Sequence, residues 1–285
     1  MLTTSPAAGS ISSTGTASSS RWSVMDERLQ HYLDRIGFSG TPRADLATLE
    51  EIVSRHVASF PFEALDAFTG TPPGIDTARH FAKLVHGGRG GWCYEHNVAG
   101  EVMRTRSETS RPAGHLALLV ECDGLWLVDV GFGGSLTRPL PLIEGEWTDG
   151  PYRVSLERLA DGHWRFEERL GDGDPFFYDF MPVAADELAL ARMSGWQGSS
   201  PESNFVRNLV VQRRDGPRHL ALRGKVLTES RVGGSVKREL ASAADLVTTL
   251  RNDFGIDLPE IAEFWPAILR RHDALFPSAE PAMAQ

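Results

Sequence analysis

The spacing of hydrophobic residues changes once along the chain, near Gly114. Before that point, apolar positions such as Leu46, Leu49 and Ile52 recur at helical intervals, and glycine- and proline-containing gaps separate the helical runs. After it the period becomes two, and short apolar runs end at Asp-Gly pairs, as antiparallel strands joined by hairpins do. The last part of the chain mixes both patterns. This order predicts an α+β fold.

The pattern also divides the chain into four segments. Residues 1–22 are almost entirely Ser, Thr, Ala, Gly and Pro, and such a segment buries too little apolar surface to offset its ordering entropy. We therefore expect a disordered extension there. We expect a helical segment at 23–110, a strand-rich segment at 111–205 and a mixed helix-and-strand segment at 206–285.

Composition narrows the class of protein. The chain has 285 residues, 41% of them hydrophobic, with two cysteines and a net charge of −9. The negative charge argues against nucleic acids and membranes as partners, because both require a basic surface. No apolar run approaches the ~20 residues that span a bilayer, and two cysteines do not make a disulfide framework. We expect a cytoplasmic protein.

The segment RGGWCYEHN, residues 89–97, is the most informative stretch of the chain. It places Cys93 after a glycine pair and at the head of a predicted helix. Backbone N–H groups at a helix N-terminus favour a thiolate, and glycines let a short side chain stand at such a turn. A free cysteine is more often a small buried hydrophobe. The surrounding pattern makes Cys93 a candidate nucleophile.

Downstream residues complete a candidate catalytic triad. His115 opens one apolar run and Asp129 lies inside the next, WLVDVGF. A buried aspartate between two valines needs a compensating partner, and an imidazolium supplies one. Cysteine, histidine and aspartate would then be nucleophile, base and orienting group. His96, three residues after Cys93, is a local alternative for the base, and His115 could equally be a structural histidine at a strand end.

The loop between the two runs decides whether this triad can form. A two-residue turn at Asp123-Gly124 would put Asp129 on the opposite face of the hairpin from His115. A three-residue loop over residues 122–124, with Gly124 in a left-handed bulge position, pairs Ala117 with Asp129 and puts both triad residues on one face. We predict the three-residue loop.

Four ordered blocks carry a resemblance to a known family. They are RGGWCYEHN, HLALLV with WLVDVGFGG, SFPFEALD at 59–66 and SSPESNFVRNLVV at 199–211. With these blocks the chain resembles the arylamine N-acetyltransferases from about Met25 to about Asp257. The resemblance implies a helical bundle, an antiparallel β-barrel-like domain and a C-terminal α/β lid around a cysteine-protease-like core.

The resemblance also implies an activity. Acetyl-CoA, as acyl donor, would acetylate Cys93, and an arylamine or arylhydrazine nitrogen would then attack the thioester. It favours His115 over His96 as the base, with Asp129 as its orienting group. It places Phe62, Phe132 and Phe205 around the substrate. Trp92, beside the nucleophile, is a further candidate for the pocket wall.

Two further expectations concern the coenzyme and metals. Gly131 and Gly133 would let a pantetheine arm approach the backbone, although they lack the spacing of a phosphate loop. The histidines and cysteines lack the paired short spacings of zinc sites, so we expect no metal.

One departure from the family leaves other functions open. The interval from Cys93 to His115 is shorter than is usual in the family, so we expect a short helix after Cys93 and one strand fewer in the second domain. The first alternative is an amide synthase that takes a long acyl chain from an acyl carrier protein and joins it to an aromatic amine. Two others are a non-catalytic homologue with a disrupted triad and a thioester hydrolase.

Overall fold

The computed structural model describes residues 19–97, 102–106, 114–134 and 136–276, with side chains from residue 27 onward and none at 102–106. The predicted extension at 1–22 therefore lies mostly outside the described residues. The N-terminal part is helical, as its spacing predicts. Its helices are α1 Ser19–Arg35, α2 Leu46–Ser59, α3 Leu65–Thr69, α4 Thr77–Phe81 and α5 Cys93–His96, with a π-helical turn at Ala82–His86.

The remaining helices lie in the second half of the chain. They are α6 Glu187–Ser199, α7 Asn204–Arg207, α8 Ala243–Phe254 and α9 Trp265–Leu275, with a 3₁₀ helix at Pro259–Phe264 before α9. Asp186 begins α6 by accepting a hydrogen bond from the N–H of Ala189 at 3.1 Å, and Ser242 begins α8 in the same way. In the described residues no helix is both long enough and apolar enough to cross a membrane.

Thirteen strands are described in two sheets. They are β1 Phe62–Glu63, β2 Val102–Arg106, β3 Leu116–Glu121, β4 Leu125–Val128, β5 Leu140–Pro141, β6 Gly145–Asp149, β7 Tyr152–Arg158, β8 Trp164–Leu170, β9 Phe176–Met181, β10 Val210–Asp215, β11 Arg218–Arg223, β12 Val226–Arg231 and β13 Gly234–Glu239. The smaller sheet has the order β1-β10-β11-β12-β13. The larger has the order β5-β4-β3-β2-β9-β8-β7-β6.

The larger sheet corrects one expectation. Its outermost strands, β5 and β6, do not pair with each other in the described structure, so the sheet is open and does not close into a barrel. A dense aromatic and aliphatic core still covers its inner face, because alternate residues of β7 are buried and pack with Phe166 of β8 and with Tyr178 and Phe180 of β9. The combination of helices and antiparallel sheets agrees with the predicted α+β class.

The hairpin of β3 and β4 has the predicted register. Leu118 lies opposite Val128 and Glu121 opposite Leu125, so three residues, 122–124, form the loop. Continued by one position, this register places Ala117 opposite Asp129. The backbone detail differs from the prediction, because Asp123 takes the left-handed angle, φ 47°, and Gly124 has φ 138°. An aspartate tolerates that conformation better than most residues do.

The helix that carries Cys93 is as short as predicted. It spans one turn, Cys93–His96, and Val102–Arg106 is a strand rather than a continuation of the helical pattern. This strand, β2, pairs antiparallel with β3, with Met103 opposite Ala117. Because β2 lies between Cys93 and His115 in the sequence and beside β3 in the sheet, the short interval brings no difficulty of reach. The predicted loss of one family strand stays a prediction.

Candidate active site

Cys93 is the first residue of α5 and lies where the helical layer meets the larger sheet. Its backbone turn is fixed by Glu95, whose carboxylate accepts a hydrogen bond from the N–H of Trp92 at 3.1 Å. The side chain packs in a cluster with Phe62 and Leu116, and the residue is only 3% exposed. A helix of one turn adds little macrodipole, so nearby side chains have to supply most of the support for a thiolate.

His115 and Asp129 come together at the edge of the β3–β4 hairpin. His115 immediately precedes β3 and Asp129 immediately follows β4, and Nε2 of the ring lies 2.7 Å from Oδ2 of the carboxylate. Burial alone would lower the pKa of His115. The charge and hydrogen bond of Asp129, and then the hydrogen bond to Cys93, outweigh it and raise that pKa to about 10. The ring therefore connects sulfur and carboxylate and holds its proton at neutral pH.

Three groups that sequence analysis did not connect with Asp129 hold it in place. The hydroxyl of Tyr178 donates to Oδ2 at 2.8 Å, the N–H of Gly131 donates to Oδ1 at 3.3 Å, and the amide of Asn97 lies 3.4 Å from Oδ1. Burial, and secondarily the charge of Asp129, raise the pKa of Tyr178, so its hydroxyl remains a donor. Asn97 belongs to the RGGWCYEHN segment and could have been singled out there. No local signal points to Tyr178.

His96, the alternative base, points into a different environment. Its Nδ1 lies 2.8 Å from Nε2 of His56, and Nδ1 of that ring lies 3.0 Å from the hydroxyl of Tyr32. Burial lowers the pKa of His96 to about 4, in spite of neighbouring backbone carbonyls that raise it. The ring is neutral at physiological pH and packs against Phe60. The geometry favours His115 as the partner of Cys93.

The predicted substrate-binding aromatics lie on two sides of the triad. Phe62 and Trp92 pack with Cys93, and Phe205 contacts them with ring centroids 6.0 and 5.6 Å away. Phe132 contacts His115 from the other side, edge to face, at 5.1 Å. Trp92 is 1% exposed, so it supports the nucleophile turn from within the core. That the other three bind substrate stays a prediction.

The glycines predicted to approach a pantetheine arm have close protein neighbours. A Cβ atom at Gly131 would lie 2.7 Å from Cα of Cys93, and one at Gly133, where φ is 102°, would lie 3.2 Å from the ring of Phe62. Only glycine allows this loop to pack so closely on the nucleophile turn. The described contacts thus give both glycines a structural role, and coenzyme binding there stays a prediction.

A largely buried cluster of two basic and three acidic side chains packs against the turn that carries Cys93. Lys83 lies 2.8–3.3 Å from carboxylate oxygens of Glu63, Asp66 and Glu95. Arg89 lies 2.7–2.9 Å from oxygens of Glu63 and Asp66. Burial raises the pKa of Glu95 to about 7 against the lowering effect of Lys83. The cluster fixes the position of β1 relative to the turn that carries Cys93.

A cysteine, a histidine and an aspartate joined in series, at the junction of a helical layer and an antiparallel sheet, are typical of enzymes with a cysteine nucleophile. The sequence model of an N-acetyltransferase family matches residues 45–263. The arylamine N-acetyltransferase of Mycolicibacterium smegmatis is 37% identical over 257 residues, covering 81% of this chain and 92% of that protein. The chain belongs to the arylamine N-acetyltransferase family, and it is an enzyme of the acyltransferase class.

Solved structures agree with this assignment. The arylamine N-acetyltransferase of Mycobacterium marinum, determined in complex with CoA, matches with a TM-score of 0.76 and 30% identity over 86% of this chain and 98% of that one. The enzyme from Mycobacterium abscessus matches with the same TM-score and identity, over 88% of this chain and 96% of that one. The fold of the described residues is that of the family.

Proposed function

We propose that the protein transfers an acetyl group from acetyl-CoA to the nitrogen of an arylamine or arylhydrazine through a thioester on Cys93. The observation that carries this proposal is the placement of His115 between Asp129 and Cys93, with its pKa raised to about 10. The CoA complex of the Mycobacterium marinum relative supports the choice of donor. The family supports the choice of acceptor.

In the first half-reaction, the proton of the Cys93 thiol resides on His115, and Asp129 stabilises the imidazolium. The thiolate attacks the thioester carbonyl of acetyl-CoA. A bond forms between Sγ and the acetyl carbon, and the bond from that carbon to the coenzyme sulfur breaks. The departing sulfur takes the proton from His115, so the ring is neutral when coenzyme A leaves.

In the second half-reaction, the amine nitrogen attacks the acetyl carbon on Cys93. The neutral ring of His115 accepts a proton from the nitrogen as the new C–N bond forms and the C–S bond breaks. The sulfur leaves as a thiolate beside the protonated ring, which restores the starting state. Asp129 acts throughout as a positioning residue that keeps Nε2 occupied and leaves Nδ1 for the reacting atoms.

The finer architecture belongs to the same proposal. Phe62, Phe132 and Phe205 would surround the acetyl group and the amine, with Trp92 behind them, and Gly131 and Gly133 would face the pantetheine arm. The core would be cysteine-protease-like, with the nucleophile on a helix and its base on a sheet. A reducing, cytoplasmic setting is supported by Cys93 and Cys122, which are both free thiols.

Intact mass measurement tests the proposal directly. Incubation with acetyl-CoA, without amine, should add the mass of one acetyl group to the protein, and the Cys93→Ala variant should add none. Addition of an arylamine should remove the adduct and yield the N-acetylated amine. In steady-state kinetics, double-reciprocal plots of rate against amine concentration at several fixed acetyl-CoA concentrations should give parallel lines. Intersecting lines without an adduct would overturn the proposal, and loading by long acyl thioesters alone would favour the amide synthase.

A further inference from the structure

Phe132, the ring beside His115, has four aromatic neighbours among the described residues. The rings of His115, Phe166, Phe176 and Tyr178 lie 5.1, 5.9, 5.2 and 5.4 Å from it, measured between centroids. Phe166 and Tyr178 are buried, whereas Phe176 is 56% exposed. Phe176 is therefore the face of this aromatic group that is open to solvent.

Strand β9 explains why Phe176 shares the face of the active site. Alternate residues of a strand point to the same side, so Phe176 points to the same side of β9 as Tyr178, two residues later. The hydroxyl of Tyr178 donates a hydrogen bond to Asp129. The next residue, Phe177, points to the other side, where the guanidinium of Arg165 covers its ring at 4.2 Å. The phenyl ring on the outer side is covered, and the one on the active-site side is exposed.

Exposure falls step by step from Phe176 to the nucleophile. Phe132 is half-buried, the side chain of His115 is 15% exposed and Cys93 is 3% exposed. Phe176, Phe132 and His115 thus form a contiguous series of rings that begins at the solvent-exposed Phe176 and ends beside the nucleophile. Aromatic rings bind one another edge to face or offset with centroids about 4.5–7 Å apart, so the surface matches a flat aromatic ligand.

We propose that Phe176 forms an outer subsite that binds the distal ring of a two-ring aromatic amine while its nitrogen reaches Cys93. This inference rests on the proposed function and specifies its acceptor. Two ring-to-ring steps, of 5.1 and 5.2 Å, separate His115 from Phe176. A one-ring amine spans one such step and contacts Phe132. A two-ring amine spans both and adds contact with Phe176.

Single-turnover kinetics separate this subsite from the chemistry. The enzyme is first acetylated on Cys93, and the thioester is then mixed with 4-aminobiphenyl or with aniline. In Phe176→Ala, the second-order rate constant for 4-aminobiphenyl should fall about fivefold to tenfold, and that for aniline should change less than about twofold. Phe176→Trp should restore the reaction with 4-aminobiphenyl. Acetylation of Cys93 by acetyl-CoA should be unaltered in both variants.

Phe276→Ala is the matched control. That phenyl ring is 62% exposed at the end of α9 and lies outside the aromatic group around Phe132, so its loss should leave both amines unaffected. Equal losses for both amines in Phe176→Ala, or no loss for either, would overturn the outer subsite while leaving the proposed function intact. Failure of the unaltered protein to form the thioester would instead overturn the proposed function.

Discussion

Cys93 has two candidate histidine partners, the buried His96 and the largely buried His115, and they have opposite protonation states at neutral pH. The pKa of His115 is raised to about 10 and that of His96 is lowered to about 4. Burial disfavours the charged ring in both places. The carboxylate of Asp129 faces His115, whereas His96 meets the ring of His56. The partner, not the depth of burial, decides which ring can hold a proton beside the sulfur.

Nearness to Cys93 in the sequence is a poor guide to which histidine is its base. His96 is three residues from Cys93 on the same helical turn, but its ring is directed toward α2, where His56 and Phe60 enclose it. His115 is far along the chain and reaches the sulfur because the β2–β3–β4 ribbon returns to α5. The base of a cysteine nucleophile is oriented by a third group behind it, and in the described residues a second segment of chain supplies that group as Asp129.

The largest expected effect is the difference in kcat/KM between a substitution of His115 and a substitution of His96. His115→Asn should lower kcat/KM for acetyl transfer by about 10³- to 10⁴-fold, because neither half-reaction then has a proton carrier. His96→Gln should lower it less than about tenfold, since the amide still has a donor and an acceptor for His56. The measurement is steady-state turnover with acetyl-CoA and an arylamine. An equal loss in a folded His96→Gln protein would contradict the comparison.

Replacement of the Asp129 carboxylate should make His115 neutral near pH 7, as His96 is. In Asp129→Asn, burial remains and the attraction is lost, so the pKa of His115 should fall below its ordinary value and the ring should be neutral near pH 7. The rate of Cys93 alkylation by iodoacetamide should drop by about 10²-fold near neutral pH. In the unaltered protein, the alkylation rate should change as pH rises through about 10, where His115 loses its proton and the sulfur loses its charged partner.

The linked effect on stability has a definite sign. Because the folded pKa of His115 is above its ordinary value of 6.5, its stabilising contribution is complete below pH 6.5 and is lost as pH rises through about 10. Asp129→Asn should remove that alkaline dependence from the free energy of unfolding. An unchanged alkylation profile in this variant would show that Asp129 does not control the ring.

The parts of this site that the sequence predicts are those with local causes. The β3–β4 register follows from alternation and from the loop at 122–124, and that register alone puts Asp129 on the face of His115. Tyr178 could not be predicted, because alternation shows which residues of β9 share a face but not which loop lies against it. The open sheet could not be predicted either, since closure depends on whether β5 and β6 meet.

At acid pH, protonation of His96 should lower the free energy of unfolding. The folded pKa of His96 lies near 4 and its ordinary value is 6.5, so between these values the unfolded chain binds more protons. Stability should therefore decrease as pH falls from about 6.5 to about 4. In His96→Gln this decrease should be smaller by on the order of 1–2 kcal/mol, measured by urea unfolding at several pH values. The slope against pH is compared, so any uniform loss of stability cancels. Parallel slopes in the two proteins would contradict the assignment.

The smallest expected effect concerns the hydroxyl that only the three-dimensional structure reveals. In Tyr178→Phe, Oδ2 of Asp129 loses a donor at 2.8 Å but keeps His115, so kcat should fall about fivefold to tenfold with little change in KM for acetyl-CoA. With one donor fewer, the carboxylate of Asp129 should hold the proton of His115 more tightly and raise the pKa of that ring. The alkaline limit of Cys93 alkylation, which is the pH near 10 at which the rate changes, should therefore move upward. A purely structural role would lower the free energy of unfolding without moving that limit. Phe180→Leu, a neighbouring core substitution on β9, is the control that should lower stability and leave the alkaline limit in place.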